Sequence, residues 1–212
     1  MPRVYVYYST RSGRATTGRV LPTFARVPRR PLTALVCAAA VIAAGCNSDE
    51  PKSAAPPPGK AEAALAGAPA PLAELHEQSS ELLDGGPEAF EKRLERVRGH
   101  PVVVNMWGSW CGPCRREFPF FQRLAIERGK EVAFLGVNGQ DPENAARAFL
   151  EEYPVAFPSY KDPDLKIAAV IKAVGPFPAT VFYDRKGEIT HLQQGPYEDE
   201  QALAADIERY AR

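Results

Sequence analysis

Two cysteines that enclose a Gly-Pro pair are the residues of this sequence best suited to covalent chemistry. Cys111 and Cys114 follow an apolar run at 102–107 and precede a segment at 115–128 whose apolar residues repeat at helical spacing. Cysteines three residues apart at the start of a helix lie close enough to form a disulfide. The unpaired N–H groups and the dipole at that helix end stabilise a thiolate on the first cysteine. The pattern therefore predicts Cys111 as the nucleophile and Cys114 as the resolving thiol of a thiol–disulfide exchange centre.

Other uses of a cysteine pair fit this sequence less well. A zinc site needs four ligands, but the body has no second cysteine pair and its histidines are scattered at positions 76, 100 and 191. Haem attachment needs a histidine directly after the second cysteine, where Arg115 stands. A purely structural disulfide rarely closes so short a loop, and nothing indicates the Thr-x-x-Cys site of a peroxidase. We therefore expect a redox centre that uses no metal and no cofactor.

The elements that must position the pair are predicted from about residue 72 onward. Helical patterns cover 72–83, 87–98, 115–128, 142–153, 165–174 and 198–210, and strand patterns cover 102–107, 131–137, 180–183 and 188–193. The last two strands flank a four-residue turn and so form a hairpin. Strands separated by helices, then a hairpin, predict an α/β fold in which a mixed sheet has helices on both faces. Trp107, Phe118 and Phe121 are expected in its core.

Charge is divided unevenly along the 212 residues, although the formal net charge is +0. Residues 1–48 carry seven arginines and no acidic residue, whereas residues 49–212 carry 19 basic and 26 acidic side chains. An acidic body argues against a nucleic-acid partner, which needs a basic face. Four cysteines are too few for a disulfide-stapled scaffold.

The arginine-rich start, residues 1–45, is typical of an N-terminal extension that ends in a signal peptide. Residues 32–44 are uncharged, too few to span a bilayer but sufficient for the apolar region of a signal peptide. Ala43-Ala44-Gly45 before Cys46 resembles a bacterial lipobox, which predicts a lipid on the Cys46 thiol and a membrane partner. Ordinary secretion without lipidation is the alternative, and Arg29-Arg30 also hints at twin-arginine export.

Residues 46–71 are predicted to form a tether between that anchor and a folded domain at 72–212. Asn47–Pro71 holds six Pro, eight Ala and two Gly, a composition that cannot bury a core of its own. With a lipid at Cys46, the tether would hold the domain at the extracytoplasmic face of the cell membrane.

Residues 102–119 resemble the TlpA/ResA branch of the thioredoxin-like superfamily. The Trp-Cys-Gly-Pro-Cys core at 110–114 is specific to thioredoxin folds, and Glu117-Phe118-Pro119 and Val137-Asn138 are similar to the branch. The resemblance covers roughly residues 84–212. It implies a thioredoxin-like α/β fold, with a central mixed β-sheet flanked by helices and an extra helical insertion. The activity it implies is thiol–disulfide exchange outside the cytoplasm.

The resemblance also implies a substrate-binding surface around the cysteine pair. Pro178-Ala179-Thr180 matches a family pattern in which the proline is cis and faces the disulfide, with an ordinary trans turn as the alternative. A cis bond turns the preceding backbone outward, where a substrate strand can pair with it. Phe177 departs from the family, which has a smaller residue there, so the client preference is open. The implied substrate-binding residues are Trp110, Gly112, Pro113, Phe177 and Pro178.

Two further residues are expected to concern protons. Asn105 stands where thioredoxins proper place a buried aspartate, as in the TlpA/ResA branch, and an amide cannot take a proton. Glu117 is the branch's candidate instead, because a carboxylate beside a thiolate raises both pKa values and can relay a proton. The alternative for Glu117 is an exposed acid in the first turn of a helix.

The residues between the cysteines bear on the direction of electron flow. Gly-Pro is the dipeptide of thioredoxin, whose potential is about −270 mV, and no histidine is present to favour an oxidant such as DsbA, whose potential is about −120 mV. The sequence therefore predicts a reductase that takes electrons from a membrane thiol-electron transporter and reduces exported protein disulfides. The resemblance suggests apocytochrome c as one such client. A disulfide-forming oxidase or isomerase, and a non-catalytic binding protein, are the alternatives.

Overall fold

A six-stranded mixed sheet organises residues 59–212, the part of the chain that the computed structural model describes. Its strands are β1 (Leu82–Leu83), β2 (Val102–Trp107), β3 (Ala133–Gly139), β4 (Ser159–Asp162), β5 (Ala179–Tyr183) and β6 (Ile189–Gln194). They lie in the order β1-β4-β3-β2-β5-β6. The first four in this order are parallel, whereas β5 runs antiparallel to both β2 and β6. The predicted mixed sheet and terminal hairpin are confirmed.

Helices cover both faces of this sheet. They are α1 (Lys60–Leu65), α2 (Ala70–Glu77), α3 (Gly86–Arg96), α4 (Gly112–Arg128), α5 (Glu143–Glu152), α6 (Lys166–Val170) and α7 (Glu200–Tyr210). One apolar cluster joins β2 and β3 to α1, α4, α5 and α7, and a second joins the same strands to α2, α3 and α6. All six residues of β2 are buried, because a central parallel strand is covered on both sides.

Trp107 fixes the end of β2 from which the cysteine loop departs. Its ring is fully buried, stacks on Phe149 at 4.8 Å between centroids, and meets Phe118 edge-on at 5.2 Å. The indole N–H donates to Ser159 Oγ at 3.1 Å, so burial leaves no polar atom of the ring unpaired. Trp107, Phe118 and Phe121 all lie in the core, as predicted.

The helix predicted over 72–83 is wrong in its second half. Helix α2 ends at Glu77, and Leu82-Leu83 instead pair with Ser159 and Tyr160 of β4. Ser80 has a φ of 57°, which interrupts the helix between the two pairs of leucines. Strand β4 was not predicted, because its four residues include a lysine and an aspartate and show no apolar alternation.

The segment at 60–65 also differs from the extended tether expected up to residue 71. It forms helix α1, and Leu65 is 8% exposed in the apolar cluster that contains α4. An alanine-rich composition is compatible with a helix as well as with a linker. Here the burial of Leu65 against the domain favours the helix. The predictions for residues 1–58, including Cys46, lie outside the described residues.

Between residues 59 and 212 no helix combines the length and the apolar character needed to span a bilayer.

Candidate functional site

The cysteine pair forms a disulfide at the first turn of α4. The S–S distance of Cys111–Cys114 is 2.00 Å and their Cα atoms are 5.3 Å apart. Cys111 is the N-cap residue, and its Sγ accepts a hydrogen bond from Cys114 N at 3.1 Å. Pro113 lies within the first turn, where a missing N–H costs no helical hydrogen bond. A backbone donor and the helix dipole thus converge on the Cys111 sulfur, as the sequence predicted.

The two cysteines differ in access to solvent. Cys111 retains 3% of its surface, whereas Cys114 has none. Trp110, directly before Cys111, is 55% exposed, and its ring contacts that of Phe177 at 4.9 Å between centroids. The Phe177–Pro178 peptide bond is cis, as predicted. The structure therefore brings together an exposed tryptophan, the more accessible cysteine and the loop that precedes β5.

Two glycines that sequence reasoning missed let these aromatic rings approach the backbone. A Cβ atom on Gly108 would lie 2.8 Å from the Trp110 ring, and a Cβ atom on Gly139 would lie 2.6 Å from the Phe177 ring. Both distances are too short for carbon atoms, so any larger residue would push a ring away. The position of the Trp110–Phe177 pair thus depends on the absence of two side chains.

Glu117 lies one turn beyond Cys114 and is fully buried. Its Oε1 accepts from Asn105 Nδ2 at 2.9 Å, and its Oε2 accepts from the backbone N–H of Tyr197 at 3.1 Å. Burial raises the pKa of Glu117 to about 7, against the smaller lowering effects of the two hydrogen bonds and of Arg116. The exposed-acid alternative is therefore wrong, and burial, rather than repulsion by a thiolate, causes the shift in this disulfide form.

Asn105 and Thr180 complete a buried polar group near Glu117. They occupy opposite positions on β2 and β5, and are 1% and 0% exposed. Within residues 59–212, neither Asn105 Oδ1 nor Thr180 Oγ1 has a hydrogen-bond partner. Both atoms therefore retain unused hydrogen-bonding capacity inside the core.

The histidines and acidic residues of the described domain do not converge on a metal-binding arrangement. No group of three or more His, Cys, Asp or Glu side chains between residues 59 and 212 is placed to hold an ion. His76 instead bonds to the backbone oxygens of Ala156 and Gly129, at 3.2 and 2.9 Å. His191 stacks on Tyr210 at 4.0 Å.

Asp141 and Tyr197 are residues near the site that sequence reasoning missed. Tyr197 supplies a backbone donor to Glu117 from 80 residues further along the chain. Asp141 binds Ser109, two residues before Cys111. The one sequence signal for Asp141 is its place just after β3, because polar residues at the carboxyl ends of parallel strands meet at one edge of the sheet.

The structure has a disulfide at the start of a helix on a thioredoxin-like fold. A buried acid lies one turn further along the same helix, and a cis-proline loop lies next to the residue that precedes the disulfide. This is the arrangement of a thiol–disulfide redox centre. Comparison with known proteins agrees. A family model described as Redoxin matches residues 65–207. The thiol-disulfide oxidoreductase ResA of Geobacillus kaustophilus is 35% identical over 124 residues, which cover 58% of this chain and 68% of that protein. ResA of Geobacillus thermodenitrificans is 34% identical over 109 residues, covering 51% of this chain and 62% of that protein.

A solved structure supports the same assignment. A candidate thiol:disulfide interchange protein DsbE from Chlorobium tepidum superposes with a TM-score of 0.51 and 28% identity, covering 55% of this chain and 83% of that one. The chain therefore belongs to the Redoxin family, and within it to the ResA-type thiol–disulfide oxidoreductases.

The raised pKa of Glu117 predicts how the stability of the oxidised protein depends on pH. The folded state holds the Glu117 proton up to about pH 7, whereas the unfolded chain releases it near pH 4. The contribution of Glu117 to the free energy of unfolding is therefore fully present below that lower pH. It declines as pH rises towards 7, by an amount on the order of 3 kcal/mol. In Glu117→Gln this decline is absent, because glutamine is neutral at every pH. Its Oε1 can accept from Tyr197, and a rotated Asn105 amide can accept from its Nε2.

Urea unfolding of both oxidised proteins at pH 5 and pH 8 measures this difference. Glu131→Gln, which changes an exposed acid, serves as the matched control and should follow the wild type. The burial effect would be contradicted if the free energy of unfolding of the wild type, compared with that of Glu117→Gln, did not fall between pH 5 and pH 8.

Proposed function

We propose that this chain is an extracytoplasmic, lipid-anchored reductase that passes electrons through Cys111 and Cys114 to disulfides of exported proteins. The observation that carries the proposal is the placement of the Cys111 sulfur as the N-cap of α4, with a hydrogen bond from Cys114 N. In the reduced protein the same donor and the helix dipole would stabilise a Cys111 thiolate. The activity of the ResA relatives, named thiol-disulfide oxidoreductases, supports it.

The reaction consists of two exchanges at sulfur. The Cys111 thiolate attacks one sulfur of the client disulfide, forms a mixed disulfide and releases the other client sulfur as a thiolate, which takes up a proton. The Cys114 thiol then loses its proton and attacks the Cys111 sulfur, releasing the second client sulfur. The client gains two electrons and two protons, and Cys111–Cys114 becomes the disulfide seen in the structure.

Glu117 is proposed to take the proton that Cys114 must lose. The two side chains lie three residues apart on α4, hence on one face of the helix, and both are fully buried. Buried Cys114 has no exposed surface through which water could remove its proton. A carboxylate with a pKa of about 7 is suited to accept and return a proton near neutral pH.

The client is proposed to bind across Trp110, Gly112, Pro113, Phe177 and Pro178. Trp110 offers exposed aromatic surface next to Cys111, and a Cβ on Gly112 would meet no atom within 4 Å. Phe177 is in contact with Trp110, so a client strand would meet an aromatic pair rather than the smaller residue typical of the family. Apocytochrome c is one client of the right chemistry, since its haem-binding thiols must be reduced.

Reduction rather than oxidation is favoured by the residues around the sulfur atoms. Gly-Pro is the dipeptide of thioredoxin, and no histidine lies between the cysteines to add charge stabilisation to the thiolate. Electrons are proposed to come from a membrane thiol-electron transporter, because a lipid at Cys46 would keep the domain beside the membrane.

The direction of exchange is tested by redox titration of the full chain, purified in detergent, against glutathione buffers. We expect a potential of about −270 mV or lower. Wild-type protein should catalyse insulin reduction and the Cys111→Ala variant should not. A potential of about −120 mV would overturn the reductase proposal in favour of an oxidase. If the Cys111→Ala variant kept its full activity, the chain would be a protein that has the thioredoxin-like fold but does not carry out thiol–disulfide exchange at Cys111.

The proton relay predicts a second effect of Glu117→Gln. Resolution of the mixed disulfide should slow by about 100-fold at pH 7, and the rate should lose its inflection near that pH. Stopped-flow reduction of a fluorescent disulfide peptide measures both. Glu127→Gln, an exposed acid on the same helix, is the control and should retain the wild-type profile. An unchanged profile in Glu117→Gln would remove Glu117 from the mechanism.

Lipidation is tested by expressing the full chain and its Cys46→Ser variant in bacteria. The wild type should carry a mass increase of a diacylglyceryl group on Cys46 and partition into detergent, whereas the variant should do neither. Equal partitioning of both proteins into the aqueous phase, without added mass, would favour ordinary secretion.

A further inference from the structure

The loop between β2 and α4 sets the position of the reacting sulfur but belongs to neither element. It comprises residues 108–111 and is closed by a hydrogen bond from Cys111 N to Gly108 O at 3.0 Å. Ser109 lies at its centre, followed directly by Trp110 and Cys111. A displacement of the Ser109 backbone would therefore move both the exposed ring and the attacking sulfur.

Asp141 binds Ser109 with both carboxylate oxygens. Oδ2 accepts from Ser109 N at 2.5 Å, and Oδ1 accepts from Ser109 Oγ at 2.6 Å. A paired, charge-assisted contact of this kind restricts orientation as well as distance. The two residues lie 32 positions apart, so the contact joins the loop after β2 to the loop after β3.

Asp141 is itself held to the sheet. Asn138 Nδ2 donates to Asp141 Oδ2 at 2.7 Å, and Asn138 is 2% exposed on β3, opposite Trp107 in register. On the other side of the loop, Arg115 Nη2 donates to Ser109 O at 3.0 Å. All three polar atoms of Ser109 are thus hydrogen-bonded. Two bind Asp141, which Asn138 of β3 holds, and the third binds Arg115 of α4.

We propose that Asp141 is a positioning residue, whose paired hydrogen bonds to Ser109 hold Cys111 in its N-cap geometry and Trp110 against Phe177. The inference rests on the proposed function, because it concerns the reactivity of Cys111 as the attacking sulfur. It adds a residue outside the cysteine motif on which that reactivity depends.

The charge of Asp141 and its hydrogen bonds have opposite effects, which makes the proposal testable by direction. A nearby negative charge disfavours a thiolate, so removing the carboxylate would speed reaction of Cys111 if charge were what mattered. Loss of positioning would take the sulfur away from the N–H of Cys114 and slow the reaction. Asparagine separates the two effects, because it is neutral yet can accept from Ser109 N and donate to Ser109 Oγ.

The experiment measures the rate at which iodoacetamide alkylates Cys111 in the reduced full chain at pH 7, with the adduct located by peptide mass spectrometry. We expect Asp141→Ala to slow alkylation about three- to tenfold, as loss of hydrogen bonds of ordinary strength implies. Asp141→Asn should remain within about twofold of wild type, since both contacts persist. Glu188→Gln, which neutralises an exposed acid in the β5–β6 turn beside the opposite end of β2 from Ser109, is the control and should match wild type.

Ser109→Ala provides a second variant should Asp141→Ala fail to fold. It keeps the carboxylate charge and loses one of the two contacts, so positioning predicts alkylation about twofold slower and a pure charge effect predicts no change. Asp141 variants that react as fast as wild type, or faster, would overturn the proposal. Wild-type Cys111 that resists alkylation would instead overturn the proposed function, so the two failures are distinguishable.

Discussion

The open end of α4 is the constraint on which the rest of the site depends. The first N–H groups of a helix have no partner within it, and here the Cys111 sulfur takes the one offered by Cys114. This requires the chain to leave β2 at Trp107 and enter the helix within four residues. Burial of Trp107 between α4 and α5 fixes where that departure begins, and the bonds of Asp141 to Ser109 fix its course. The chemistry of the sulfur is thus supported by packing beneath it and by hydrogen bonds beside it.

Glu117 shows how the same helix serves a second purpose further in. A buried carboxylate is costly when charged, and two donors, Asn105 Nδ2 and Tyr197 N, reduce that cost without abolishing it. The outcome is a group balanced between its two protonation states near neutral pH. Asn105 contributes an amide, which donates to the carboxylate but does not compete with it for the proton. Glu117 therefore remains the titrating group of this buried cluster.

Local signals in the sequence predicted much of this arrangement. The cysteine spacing, the apolar run of β2 and the proline before β5 are each readable within a few residues, and each was confirmed. Strands β1 and β4 were missed because they are only two and four residues long, and β1 is defined by its pairing with β4, 77 positions further along the chain. Tyr197 N donates to Glu117 from 80 residues further along the chain, and the contact of Asp141 with Ser109 depends on the ends of β2 and β3 meeting. Such contacts exist only after folding, so no local pattern announces them.

The close approach of Trp110 and Phe177 to Gly108 and Gly139 has a consequence for how selectivity can change. Both rings rest on main chain, which cannot adopt another rotamer to make room. The surface beside the disulfide is therefore bounded by rigid main chain at Gly108 and Gly139 and by the two aromatic side chains, which can be replaced. The range of accepted partners would change by replacing one of the two aromatic residues, whereas a larger residue in place of either glycine would displace the ring that packs on it.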